Sequence, residues 1–91
     1  MSIKNTKKVT SRTIRFRRFT VTFDYSPFFK TIEKKGLTKY ILDKEFGISK
    51  KQYKRLENGD IINISTLFAI MAAIQVKDIR KIIRFEINYL D

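Results

Sequence analysis

Residues 37–59, LTKYILDKEFGISKKQYKRLENG, constrain this chain more than any other stretch, because they read as two short helices joined by a tight turn. Thr38 supplies a capping hydroxyl for the first helix. Ile41, Leu42 and Phe46 then recur at helical spacing. Gly47 stands where a helix ending in a left-handed residue needs a missing Cβ. After Ile48, Ser49 caps the second helix, whose inward stripe is Tyr53 and Leu56. Lys50, Lys51, Lys54 and Arg55 crowd its outer face with four positive charges. Two helices at a sharp angle, the second cationic on its outer side, suit the major groove of a nucleic-acid duplex.

The charge of the whole chain points the same way. Its 91 residues, enough for one domain with a single modest core, carry a net charge of +11. The excess is uneven. Residues 1–23 hold seven basic and no acidic groups, residues 24–60 hold nine and six, and residues 61–91 hold four and three. A polyanion is therefore the expected partner. With no cysteine, a disulfide or thiolate framework is excluded, and a reducing, cytoplasmic setting fits. No apolar run approaches the ~18 residues that a bilayer demands, and no secretory signal pattern opens the chain. Neither histidine nor a glycine-rich phosphate loop is present, and the carboxylates are isolated or flanked by lysine. The chain is thus expected not to be an enzyme, and to need no metal, cofactor or small-molecule substrate.

Along the chain, residues 1–12 are polar, basic and aperiodic, which predicts a flexible arm, followed by one domain over residues 13–91. Residues 13–25, TIRFRRFTVTFDY, alternate, with Ile14 and Phe16 in one phase and Phe19, Val21, Phe23 and Tyr25 in the other. The phase flips at Arg17 and Arg18, which suggests a bulge or a break. Ser26-Pro27 reads as a helix start with a capping hydroxyl, and the helix ends near Gly36. Asn58-Gly59-Asp60 closes the third helix. Asn63 caps a fourth, with Leu67, Ile70, Met71 and Ile74 as its stripe. A fifth helix is expected from about Asp78, using Ile79, Ile82 and Ile83. Phe85, Ile87 and Tyr89 then alternate with polar residues, a strand pattern. A lone strand leaves its backbone unpaired, so the two terminal strands are expected to form a two-stranded ribbon, within one chain or exchanged between two. Phe19, Val21, Phe23, Phe85 and Ile87 would then face the core or a second subunit.

The stretch YSPFFKTIEKKGLTKYILDKEFGISKKQYKRLENG, followed by ISTLFAIMAAIQVKDI, resembles the lambda-repressor/Cro-like (XRE-type) helix-turn-helix domain over residues 25–83. Within that family it is most similar to a compact bacterial and mobile-element branch in which helix 1 directly follows a short strand. Leu42, Gly47, Ile48, Tyr53 and Leu56 fall on the motif's structural positions, and Leu56-Glu57-Asn58-Gly59 matches the loop after the recognition helix. The resemblance implies a mainly α, five-helix fold. It also implies a transcriptional regulator, expected to be a repressor, that binds double-stranded DNA, commonly as a homodimer. It places Lys50, Lys51 and Arg55 where such proteins touch base edges, with Gln52 beside them. It places Lys39, Tyr40 and Asn58 at the phosphate backbone. Lys54, and Lys4, Lys7, Lys8 and Arg12 of the arm, join that phosphate set by charge. Asp43 departs from the pattern, standing where alanine is usual, and would be paired with Lys39, Lys51 or Arg55 or exposed. Two alternatives use the same scaffold: a protein-interaction module, and an RNA binder working through the basic N-terminal strand.

Overall fold

The computed structural model describes residues 10–90. Two strands, β1 (Ser11–Arg15) and β2 (Phe19–Asp24), precede four helices, α1 (Ser26–Lys34), α2 (Lys39–Phe46), α3 (Lys50–Glu57) and α4 (Ile64–Ala73). A 3-10 turn at Ile79–Lys81 and a strand β3 (Arg84–Tyr89) complete the fold. One hydrophobic core links Phe23 and Tyr25 of the sheet end with Phe28, Ile32, Leu42, Ile48, Leu56, Leu67, Ile70 and Ile82.

The helix starts follow from short-range hydrogen bonding. Thr38, Ser49 and Asn63 accept the backbone N–H of Ile41, Gln52 and Thr66 respectively, so α2, α3 and α4 each begin with one orphan donor satisfied. Gly47 ends α2 at φ +77°, the left-handed conformation that favours glycine. α1 starts differently from its expected cap. Ser26 lies inside the helix, and the Asp24 carboxylate accepts both its N–H at 3.0 Å and its hydroxyl at 2.8 Å. Asp24 also accepts from the Thr10 hydroxyl and the Arg84 guanidinium. Burial pushes the Asp24 carboxyl up, but these hydrogen bonds together outweigh it, and its pKa lies below the ordinary carboxylate value.

The expected two-stranded ribbon is a three-stranded antiparallel sheet in the order β1-β2-β3. The phase flip at Arg17 and Arg18 is a hairpin turn, closed by the Phe16 N–H on the Phe19 carbonyl at 2.8 Å. Ile14 pairs with Val21 and Arg12 with Phe23. An even position therefore faces an odd one, and only a change of phase between the strands can gather the apolar residues on one side. β3 pairs with β2 within the chain, placing Phe85 opposite Phe23, Ile87 opposite Val21 and Tyr89 opposite Phe19. The strand partners thus share a face as expected, but only Phe23 is buried, whereas Phe85 and Ile87 are exposed. The reason is reach: the sheet extends past the helices, and the radius of gyration is 14.4 Å against about 12 Å for a compact chain of this size.

The fifth helix is replaced by the single 3-10 turn. β3 must begin at Arg84 to pair with Asp24, and the few residues between Asp78 and that point cannot repay the nucleation of an α-helix. Its apolar residues still serve the core, since Ile82 is fully buried. Ser11 and Arg12, expected in the basic arm, belong to β1. Lys4, Lys7 and Lys8 lie outside the described residues.

Candidate nucleic-acid interface

α3 is oriented by its buried side. Leu56 is fully buried, and Tyr53 sets its ring edge-on to Phe29, with centroids 5.4 Å apart. This pins the opposite side outward, where Lys50, Lys51 and Lys54 are exposed. The ion pairs among the described residues are Arg12–Asp60, Arg80–Asp78 and Arg84–Asp24, so none neutralises these three lysines. No acidic residue stands in the first turn of α2 or α3. Lys39, Lys50 and Lys51 occupy those turns instead. A cation there opposes the positive end of the helix dipole, which works against folding but builds a field attractive to an anion.

α2 contributes the neighbouring corner. Lys39 and Tyr40 are exposed at its first turn. The Lys39 ammonium sits 5.4 Å from the centre of the Tyr53 ring, which draws this corner toward α3. Asp43 is half-buried and forms no ion pair with Lys39, Lys51 or Arg55 among the described residues. No ion pair therefore neutralises the cationic face from that position among the described residues.

Arg55 and Gln52 are placed differently from the lysines. One guanidinium nitrogen of Arg55 donates to the Ile61 carbonyl at 2.7 Å, bracing the loop after α3. Gln52 lines a small recess with Ile48, Thr66 and Ala69. Its Oε1 is buried and without a hydrogen-bond partner, so this side chain points away from the outer face that carries Lys50 and Lys51.

The loop carrying Asn58 is anchored from the far end of the sequence. Arg12 donates from Nε to the Gly59 carbonyl at 2.7 Å and pairs with Asp60 at 3.2 Å. The Tyr25 hydroxyl donates to the Asp60 carbonyl at 2.7 Å, and burial pushes this phenol above its ordinary pKa. Gly59 sits at φ +69°, where a Cβ would lie 2.8 Å from the Ser11 carbonyl oxygen. β1 is thus sealed against the end of α3, and Arg12 is committed to Gly59 and Asp60 within the chain. Thr10, where the described fold begins, shares a recess with Phe29, Tyr53 and Glu57 beside α3.

Arg15, Arg17 and Arg18 are exposed around the hairpin turn, next to the stacked rings of Phe16 and Phe19. The sequence signal that could have placed these cations at a turn is the change of strand phase between Phe16 and Phe19. Among the described residues no cluster of side chains could hold a metal ion, and no helix is long and apolar enough to cross a membrane.

A family model described as helix-turn-helix matches residues 30–81. No curated protein and no solved structure matches the chain. The matched span covers more than half of the sequence and contains α2, the Gly47 turn, α3 and α4. The chain belongs to the lambda-repressor/Cro-like (XRE-type) helix-turn-helix family, a family that binds DNA.

Proposed function

We propose that this protein is a sequence-specific regulator of transcription, a repressor, that inserts α3 into the major groove of double-stranded DNA. The observation that carries this reading is the outward face of α3, where Lys50, Lys51 and Lys54 are exposed and lack an acidic partner among the described residues. Lys50 and Lys51, in the first turn, face base edges, and the remaining guanidinium nitrogens of Arg55 join them from the next turn. Lys39, Tyr40, Lys54 and Asn58 meet the phosphates on either side. Gln52 supports the helix from behind instead of touching bases. Three lysines and one arginine make phosphate charge the larger share of affinity, since only arginine matches guanine with two parallel hydrogen bonds.

The test is titration of duplex DNA selected from a random pool, beside duplex RNA and single strands, across a salt series. Lys51→Ala and Arg55→Ala are each expected to weaken binding to the selected duplex by ~1–3 kcal/mol. Melting temperatures recorded in parallel separate this from the loop bond that Arg55 also makes. Wild-type affinity in both variants would remove α3 as the reading element. Preference for RNA would favour the second reading, in which the exposed Arg15, Arg17 and Arg18 hairpin is the binding element.

Residues 1–9 precede Thr10, which lies beside α3, and their lysines extend the phosphate contacts. Deleting them removes Lys4, Lys7 and Lys8 but leaves Arg12 and β1 in place. The slope of log affinity against log salt is expected to fall by roughly 0.9 for each phosphate that these lysines neutralise, with sequence preference kept. An unchanged slope would assign the arm no part in binding.

A further inference from the structure

The outer half of the sheet carries charge that the rest of the fold leaves unanswered. Arg15 ends β1, and Arg17 and Arg18 are the central residues of the turn into β2. All three are exposed. No carboxylate occurs over residues 13–23, and none of the ion pairs among the described residues involves these arginines. The acidic residue of β3, Glu86, stands opposite Thr22, nearer the helices. Like charges gathered in this way repel mildly in the free protein and become favourable against a polyanion. The tip that carries them is braced. Besides the Phe16 N–H on the Phe19 carbonyl, the Leu90 N–H donates to the Arg18 carbonyl at 2.8 Å, tying the turn to the end of β3. The Phe16 and Phe19 rings stack with centroids 4.9 Å apart, and Phe19 lies 6.2 Å from Tyr89. Arginines held on such a frame lose less freedom on binding than the same residues in a loose loop.

We propose, on the reading of α3 given above, that the hairpin is a second DNA contact. Arg15, Arg17 and Arg18 bind phosphates bordering the minor groove that adjoins the major groove entered by α3. The root of the hairpin supplies the geometric argument. Arg12 and Tyr25 fasten the sheet to Gly59 and Asp60, directly after Asn58 at the end of α3. The hairpin therefore leaves from the phosphate side of the site, not from its base-reading face. From Ser11 at that root to Phe16 at the tip, β1 spans about 17 Å at the usual strand rise. Along B-DNA a major groove and the next minor groove are centred half a turn apart, also about 17 Å when a turn is ~34 Å. Guanidinium suits phosphate through two parallel hydrogen bonds, and such contacts add affinity without reading sequence. Rings beside arginines could equally stack on the bases of a single strand. The fixed span from α3 is what selects the duplex backbone.

The test uses two duplexes, one trimmed to the base pairs that selection from a random pool fixes, the other extended by a helical turn on each side. The triple variant Arg15→Gln, Arg17→Gln, Arg18→Gln is compared with Lys34→Gln, Lys35→Gln, Lys77→Gln, which removes the same charge from exposed positions elsewhere. On the extended duplex the slope of log affinity against log salt is expected to fall by roughly 0.9 for each phosphate the hairpin gives up, in the arginine variant alone. On the trimmed duplex the two variants should bind alike. Hydroxyl-radical footprinting of wild type should show protection about half a turn beyond the selected base pairs, absent in the arginine variant. An unchanged slope with sequence preference kept, or an equal fall in both variants, would overturn the hairpin contact and leave α3 as the reader. Tighter binding to RNA or single strands than to the selected duplex would overturn both. If the arginine variant fails to fold, the wild-type footprint decides, and protection confined to the selected base pairs would overturn the proposal.

Discussion

Replacing Leu56 with alanine is expected to lower the stability of the domain by about 2–5 kcal/mol. Leu56 has no exposed surface and belongs to the core formed with Phe28, Leu42 and Ile48. It is also the residue that fixes which way α3 faces, because the exposed lysines lie on the side of the helix opposite to it. Truncation removes its apolar neighbours' packing and leaves a cavity that the surrounding helices cannot fully close. For a domain of this size each kcal/mol is worth roughly 4–8 °C, so the melting temperature should fall by about 10 °C or more. Lys54→Ala, on the exposed side of the same helix, should stay within ~0.5 kcal/mol and serves as the control. Equal melting temperatures for the two variants would mean that α3 is not seated on Leu56.

Removing residues 84–91 is expected to cost on the order of 3 kcal/mol, taking a few tenths to 1 kcal/mol for each of the cross-strand pairs between β2 and β3. The deletion strips β2 of every partner from Phe19 to Asp24 on that side and takes away the Arg84 bond to Asp24. What is left is the β1-β2 hairpin, and a two-stranded ribbon is marginal on its own. Phe23, buried at the root of the sheet, then loses Phe85 beside it. Because Asp24 also holds the start of α1 through Ser26, the loss spreads into the helices. The expected readout is a melting temperature lower by about 10–20 °C, with native-state amide exchange faster in both β2 and α1. Unchanged melting would show β3 to be dispensable.

Features whose physical cause lies within a few residues were legible in the chain itself. The caps at Thr38, Ser49 and Asn63 each bond a backbone N–H three residues ahead, and the turn at Gly47 needs only its own φ. The stripe of Leu67, Ile70, Met71 and Ile74 is set by helical period, and all four are buried. The family was legible for the same reason, since its motif spans α2, the turn and α3. Partners distant along the chain emerged only from the folded arrangement. Alternation revealed two strand regions, but not that the first is itself a hairpin, because the phase change at Arg17 and Arg18 is equally the mark of a bulge until a pairing is known. Arg12 looked like an arm residue until Gly59 and Asp60, far along the chain, were brought against it. The resemblance set Gln52 beside the base-contacting residues, and only the approach of α4 shows it lining a recess with Thr66 and Ala69. The residues after Asp78 have helical spacing, but the register of β3 on β2 claims the chain from Arg84 and leaves room for one turn. Local hydrogen bonds are encoded where they form, whereas register and burial depend on which distant segments share the core.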